Sequence, residues 1–206
     1  MKKIIAIIAL FTAVISSAQG QFEQGMGKAM QLWKEGKNTE ASDLFERIAA
    51  ADKTSWLPNY YVALVNTTSS FKTQDKTQIS AMLTKAQNVM DVEMIKNQNN
   101  AELYVVQALI YTAWVVQDPM TNAQKYSGKI MEAYAKAKAI DPNNPRVVFG
   151  EADYQLGGAK WTGVDTKPLC AQVDKAIELF ATFKPETPFS PKWGLERALE
   201  AQKNCK

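Results

Sequence analysis

The apolar residues of this chain recur at intervals of three and four, and proline- or glycine-containing segments interrupt the pattern. Such spacing places the apolar side chains on one face of a helix, and no segment shows the period-two alternation of a half-buried strand. The eight prolines fall in the breaks or in first helical turns, where a missing N–H is tolerated. The pattern predicts nine helices, near residues 22–35, 39–51, 58–71, 76–93, 100–116, 122–140, 145–156, 167–183 and 190–203.

The first 20 residues form a segment of a different kind. Two lysines precede an apolar run over residues 4–15, and small residues follow at 16–18. This order is typical of a secretory signal peptide, because the apolar run is too short to span a bilayer comfortably. We predict a signal peptide over residues 1–18 with cleavage after Ala18, or alternatively after Gly20. A retained membrane anchor is the other interpretation, and it is disfavoured because polar residues follow at once.

The predicted mature chain, residues 19–206, has the size of one domain with a sizeable core. The full chain has a net charge of +3, and loss of the two signal-peptide lysines leaves the mature part nearly neutral. A nearly neutral domain lacks the electrostatic footprint of a nucleic-acid-binding protein. No cysteine lies at the cleavage site, so we do not expect a lipoprotein. We predict a protein of the periplasm or the cell exterior, without stable membrane insertion after signal removal; the sequence leaves its oligomeric state open.

One pair of predicted helices has a regular pattern of large and small residues. The first helix opens AELYVVQALIY, with Tyr104, Ala108 and Tyr111 at spacings of four and three. The second ends EAYAKAKAIDPNNP, in which Tyr134 and Ala137 share a face and a proline follows. Antiparallel helices approach closely only where side chains are small, and large side chains fill the space beside them. This pattern resembles that of the tetratricopeptide repeat (TPR).

Three further helix pairs match the repeat more weakly. Their second helices carry Phe45, Leu83 and Phe180 at places equivalent to Tyr134. These residues are farther apart than the repeat of about 34 residues typical of TPR proteins, so inserted loops separate the pairs. The resemblance covers nearly the whole mature chain, and the overall pattern also resembles small exported TPR-like proteins of Gram-negative bacteria. It implies an all-α, right-handed superhelical stack of about four degenerate TPR-like helix pairs plus a C-terminal capping helix; a helical bundle with accidental matches is the alternative.

The composition removes several classes of catalytic and metal site. The chain contains no histidine and two cysteines, which excludes serine–histidine and cysteine–histidine nucleophilic sites and a zinc site made of thiolates alone. It has neither a P-loop nor a dinucleotide-binding glycine motif. Acidic pairs such as Asp91 and Glu93 do not share a helical face, so we interpret them as solvated surface charge. We therefore predict a non-enzymatic protein with no metal and no cofactor.

The resemblance to TPR proteins implies a concave face lined by the first helix of each pair. Matched to the family pattern, Glu102, Val105, Leu109 and Thr112 lie on that face, and Asp153 occupies a similar place in the fourth pair. The first functional hypothesis is accordingly a scaffold in the cell envelope that binds an unidentified protein or peptide through this face.

The segment KWTG follows two glycines and is predicted to be a loop over residues 160–163. Lys160 and Trp161 are candidate binding residues there, since an exposed aromatic side chain can anchor a ligand or a partner. The alternative is that Trp161 folds back and caps the end of the core. A second functional hypothesis is a carrier for a small ligand or a glycan that uses aromatic platforms such as Trp161 and Tyr61.

The two cysteines, Cys170 and Cys205, lie on the last two predicted helices. Export into an oxidising compartment favours a disulfide between them. The two lie at nearly equal distances along the chain from Pro188, so an antiparallel hairpin brings them to the same end. The predicted bridge ties the capping helix to the last helix pair; two free thiols are the alternative.

Overall fold

The computed structural model describes residues 20–205, and the predicted signal peptide lies outside this part of the chain. Within residues 20–205 the chain forms nine helices and no strand. The helices are α1 (20–34), α2 (Asn38–Ala51), α3 (Leu57–Ser70), α4 (Lys76–Lys96), α5 (Ala101–Gln117), α6 (Pro119–Ile140), α7 (Pro145–Thr162), α8 (Thr166–Thr182) and α9 (Leu195–Asn204).

The helices pack as four consecutive pairs, α1–α2, α3–α4, α5–α6 and α7–α8. Each even-numbered helix before α8 also contacts the odd-numbered helix that follows it, and α5 contacts both α3 and α7. The last helix, α9, packs against α7 and α8 and closes the end of the stack. This arrangement confirms the predicted all-α stack of TPR-like helix pairs.

Small side chains lie where the helices approach each other. One alanine from the second helix of each pair is fully buried, namely Ala41, Ala86, Ala137 and Ala176. Phe45, Leu83 and Tyr134 lie one turn away on the same helices and are also buried. Large residues therefore fill the space that the close approach of the backbones creates. Helix α3 is buried along nearly its whole length and forms the centre of the largest core cluster.

Helix α7 is longer than predicted, and KWTG is not a loop. The helix passes through Gly157 and Gly158 and ends at Thr162. Both glycines face open space, so they weaken the helix only by their low helix propensity, about 1 kcal/mol each relative to alanine. The stop signal is Gly163, whose φ of 68° lies in the left-handed region that glycine adopts without strain.

The C-terminal end has a shorter helix and a longer connection than predicted. Helix α9 begins at Leu195 rather than near residue 190. Pro191 and Gly194, which has a φ of 112°, prevent the helix from starting earlier. The non-helical segment over residues 183–194, which we call the C-terminal strap, joins α8 to α9. Cys170 in α8 and Cys205 after α9 form the predicted disulfide, with their Cα atoms 5.7 Å apart.

Candidate functional site

The predicted concave face is partly closed. Glu102 is 8 % exposed and Val105 only 2 %, so the expectation that both lie on an open surface is wrong. The C-terminal strap covers them: Trp193 packs against the core cluster that contains Val105 and against the largest core cluster. The segment that covers these residues has no counterpart in the TPR pattern.

A buried ion pair lies beneath the strap. Arg146 of α7 donates hydrogen bonds from Nε and Nη2 to the Glu102 carboxylate, at 2.6–2.8 Å. Asn144 donates to the same carboxylate at 2.7 Å, and the Tyr60 hydroxyl donates to it at 3.4 Å. The Arg146 side chain is completely buried. Because each oxygen of the carboxylate accepts at least two hydrogen bonds, this network is satisfied internally and is structural in character.

Polar contacts fasten the strap itself to the helices. The Trp193 indole N–H donates to the Tyr60 hydroxyl at 2.7 Å, and the Tyr61 hydroxyl donates to the Phe189 carbonyl oxygen at 2.7 Å. Burial, followed by the charge of Glu102, raises the pKa of Tyr60 well above its ordinary value. Tyr61 is also buried, so the expectation that it offers an aromatic platform to a ligand is wrong.

The remaining predicted groove residues do not form one continuous surface. Leu109 and Thr112 are half-buried, one and two turns farther along α5 than Val105. The Asp153 carboxylate on α7 accepts a hydrogen bond from Arg197 of α9 at 3.1 Å, so it is already paired with the capping helix. The strap and α9 thus divide the predicted concave face into a covered part and an open part.

Trp161 projects from the last turn of α7 and is 81 % exposed. The Lys160 ammonium lies 4.9 Å from its ring centroid. The alternative that Trp161 caps the core is therefore wrong. Its role as a binding anchor stays a prediction.

A groove that the sequence did not reveal lies between α4, α5 and α6. We call it the tyrosine–lysine groove; it has a volume of about 200 Å³. It is lined by Met94 of α4, Tyr104, Gln107 and Tyr111 of α5, and Lys129, Glu132, Ala133 and Lys136 of α6. The Tyr126 ring stacks on that of Tyr111 with a centroid separation of 5.4 Å, which extends the aromatic surface along α6.

Two lysine ammonium groups lie beside this aromatic surface. The Lys129 ammonium lies 5.8 Å from the Tyr111 ring centroid and 5.9 Å from that of Tyr126, and Lys125 lies 4.9 Å from the latter. Lys136 pairs with Glu132 at 2.8 Å. Aromatic faces beside ammonium groups suit a flat apolar ligand that carries carboxylates or phosphates.

The Tyr111 phenol of this groove is protonated at physiological pH. Burial, followed by the charge of Asp91, raises the pKa of Tyr111 above its ordinary value. The phenol therefore offers a ring face and a hydroxyl that can donate a hydrogen bond. No group of three or more cysteine, aspartate or glutamate residues within residues 20–205 could hold a metal ion.

Sequence reasoning assigned Tyr104 and Tyr111 to packing between helices. Both are half-buried, so they do contact the neighbouring helix while one side of each lines the groove. A signal was nevertheless present on α6, where Lys129, Glu132 and Lys136 follow one another at helical spacing. The strap gave no such signal, because a non-helical segment has no periodic pattern.

Two solved structures are similar to this chain. The HusA haemophore from Porphyromonas gingivalis matches with a TM-score of 0.71 and 21% sequence identity, over 89% of this chain and 92% of that one. A thermophilic TPR protein from Thermus thermophilus matches with a TM-score of 0.60 and 14% identity, over 89% of each chain. No protein-family profile and no curated protein sequence matches the chain. These likenesses establish the fold, a TPR-like stack of helix pairs.

Proposed function

We propose that this protein is an exported carrier that binds a flat, aromatic, anionic ligand in the tyrosine–lysine groove. The observation that carries the proposal is the stacked pair Tyr111 and Tyr126 with the Lys129 ammonium beside both rings. Similarity in fold to a haemophore supports it. Haem is planar and aromatic and carries carboxylates, so it is the first ligand to test.

The groove chemistry predicts how such a ligand binds. A macrocycle stacks on the tyrosine rings, and its carboxylates face the ammonium groups of Lys125 and Lys129. A volume of about 200 Å³ covers only part of a porphyrin, so the rest lies on the surface beside the groove. Because the chain has no histidine, no imidazole can bind the iron, and we expect ring stacking and charge pairing to supply most of the affinity.

The test is a titration of the mature chain with haem and with an iron-free porphyrin, followed by ligand absorbance. We expect both to bind with comparable affinity. Lys129→Glu should weaken binding at least about tenfold, or about 1.4 kcal/mol. Lys175→Glu, which reverses the charge of an exposed lysine on α8, is the matched control and should bind as the unmodified protein does. Equal binding by both variants would place the ligand elsewhere, and failure to bind either porphyrin would refute the proposal.

A second candidate function, a scaffold for an envelope protein or peptide, is supported by the open part of the predicted concave face. Val116, one turn beyond Thr112 on α5, is 60 % exposed, and Met120 is almost fully exposed. Val116→Asp should abolish capture of a stoichiometric partner from envelope extract. Val92→Asp, at a 47 % exposed valine of α4, is the control. Equal capture by both variants would argue against this surface.

Export is part of the proposal. None of the helices within residues 20–205 is long and apolar enough to span a bilayer. Mass analysis of protein from fractionated cells should find a mature chain that begins near Gln19 in the periplasm or the medium. An intact Met1 terminus in the membrane fraction would contradict it.

A further inference from the structure

The C-terminal strap occupies the predicted concave face in the manner of a bound peptide. It contacts three of the odd-numbered helices directly. The Phe189 ring meets the Phe22 ring of α1 edge-on, with 6.3 Å between the centroids, and the Trp193 indole N–H donates a hydrogen bond to Tyr60 of α3. The Arg146 guanidinium of α7 lies 4.4 Å from the centroid of the Phe183 ring. In α5, the helix between α3 and α7, Glu102 and Val105 are buried beneath it.

We propose that the strap is a displaceable ligand of the protein's own surface and that the Cys170–Cys205 disulfide holds it in place. The surface beneath it accepts a non-helical segment with two aromatic residues four positions apart. The strap's own Phe189 and Trp193 provide those two anchors. This surface is separate from the tyrosine–lysine groove, so the inference does not rest on the carrier function.

The recognition chemistry is suited to exchange of one segment for another. Two of the polar contacts reach main-chain carbonyl oxygens: Tyr61 bonds that of Phe189 at 2.7 Å, and Arg146 Nη1 approaches that of Trp193 at 3.4 Å. Main-chain contacts are independent of side-chain identity, and specificity then comes from the pockets that receive the aromatic rings. A different segment with the same aromatic spacing could make the same contacts.

The non-covalent attachment of α9, which holds the end of the strap, is slight. Helix α9 has ten residues, of which only Ala198 and Ala201 are buried, while Leu195 and Leu199 remain exposed. Its ion pair between Arg197 and Asp153 is partly exposed, and such pairs stabilise weakly. The disulfide is therefore the covalent constraint that keeps α9 against the stack, in addition to the contacts that Trp193 makes itself.

Reduction by a dithiol would release this constraint. One thiolate of the dithiol attacks a sulfur of the bridge and forms a mixed disulfide, and the second thiolate resolves it. Cys170 and Cys205 gain two electrons and two protons and become thiols, while the dithiol becomes a disulfide. The only covalent connection of the strap to the helix pairs then runs through α8, and the non-covalent contacts over Tyr60 and Tyr61 can open and close.

Hydrogen exchange measured by mass spectrometry tests whether the disulfide holds the strap. The mature chain is compared in its oxidised form and after reduction with dithiothreitol, without denaturant. We expect exchange in residues 183–205 to become faster at least about tenfold, whereas α3 and α5 keep their protection. Unchanged exchange in the strap would overturn the proposal. Loss of protection in α3 would also overturn it, because the bridge would then stabilise the whole fold.

A peptide with the sequence of residues 183–194 tests the surface itself. The recipient is the full mature chain with Cys170→Ser, Cys205→Ser, Phe189→Ala and Trp193→Ala, whose own strap lacks its anchors; the reduced unmodified chain is a second recipient in case the variant fails to fold. A labelled peptide should bind to an opened chain and not to the oxidised protein. The same peptide with both aromatic residues replaced by alanine should bind at least about tenfold more weakly. Equal binding of the two peptides, or no binding to either recipient, would overturn the proposal.

Discussion

At the scale of single residues, two carboxylates that each pair with an arginine of a neighbouring helix should differ sharply in importance. Glu102 is buried with Arg146, whereas the Asp153–Arg197 pair is partly exposed. Glu102→Ala leaves a buried guanidinium without its counter-charge and should lower the free energy of unfolding by about 3–5 kcal/mol. Asp153→Ala should lower it by less than about 1 kcal/mol. Urea unfolding of both variants measures the contrast, and similar losses would contradict it.

Trp161 provides the opposite case, a large side chain outside the core. Because its indole is exposed at the end of α7, Trp161→Ala should change the free energy of unfolding by no more than about 0.5 kcal/mol. Thermal unfolding of the variant checks this. A loss of several kcal/mol would mean that the indole packs into the core after all.

At the scale of helices, the contact between α6 and α7 depends on a glycine. A Cβ atom added at Gly150 would lie 2.7 Å from the Tyr134 hydroxyl oxygen and 2.8 Å from its Cε1. Gly150→Ala should therefore lower the free energy of unfolding by about 1–3 kcal/mol. Gly157→Ala, in the same helix but with open space around it, should raise it by about 0.5–1 kcal/mol. If both variants gain stability, Tyr134 can move aside and the close approach is not required.

The helix pairs could be predicted from the sequence because each element carries its own periodic pattern. Ala137 and Tyr134 lie where the TPR resemblance places them, and the disulfide followed from the position of Cys170 and Cys205 on a hairpin. The burial of Glu102 could not be predicted, because the segment that covers it is distant in sequence and has no periodicity. For the same reason the sequence suggested a fully open face where the structure has a partly closed one.

At the scale of the whole molecule, α5 connects the two surfaces that are proposed to bind. Glu102 and Val105 on one side of this helix lie under the strap, and Tyr104 and Tyr111 on another side line the tyrosine–lysine groove. A single helix of 17 residues thus contributes to both. Because α5 packs against α3, α4, α6 and α7, the residues that it contributes to both surfaces are held by four neighbouring helices.

The buried tyrosines should also set the upper pH limit of the fold. Tyr60, Tyr61 and Tyr134 are buried, and burial is the main cause that raises the pKa of each phenol in the folded state. In the unfolded chain each has a pKa of about 10. The stabilisation that these groups provide is therefore complete below about pH 10, where both states are protonated, and decreases as the pH rises further, because only the unfolded state loses its protons.

Each tyrosine that ionises only on unfolding should lower the free energy of unfolding by about 1.4 kcal/mol per pH unit above about pH 10. Urea unfolding at a series of pH values from about 8 to about 11 measures this slope, and phenolate absorbance of the folded protein reports which tyrosines have ionised. Tyr134→Phe is the informative variant, since the hydroxyl it removes lies in contact range of Gly150 and titrates in the unfolded chain alone. Its alkaline slope should be smaller by the contribution of one tyrosine. An alkaline slope of the Tyr134→Phe variant equal to that of the unmodified protein would contradict the prediction. So would ionisation of Tyr134 near pH 10 in the folded unmodified protein, because a phenol packed tightly between α6 and α7 should stay protonated there.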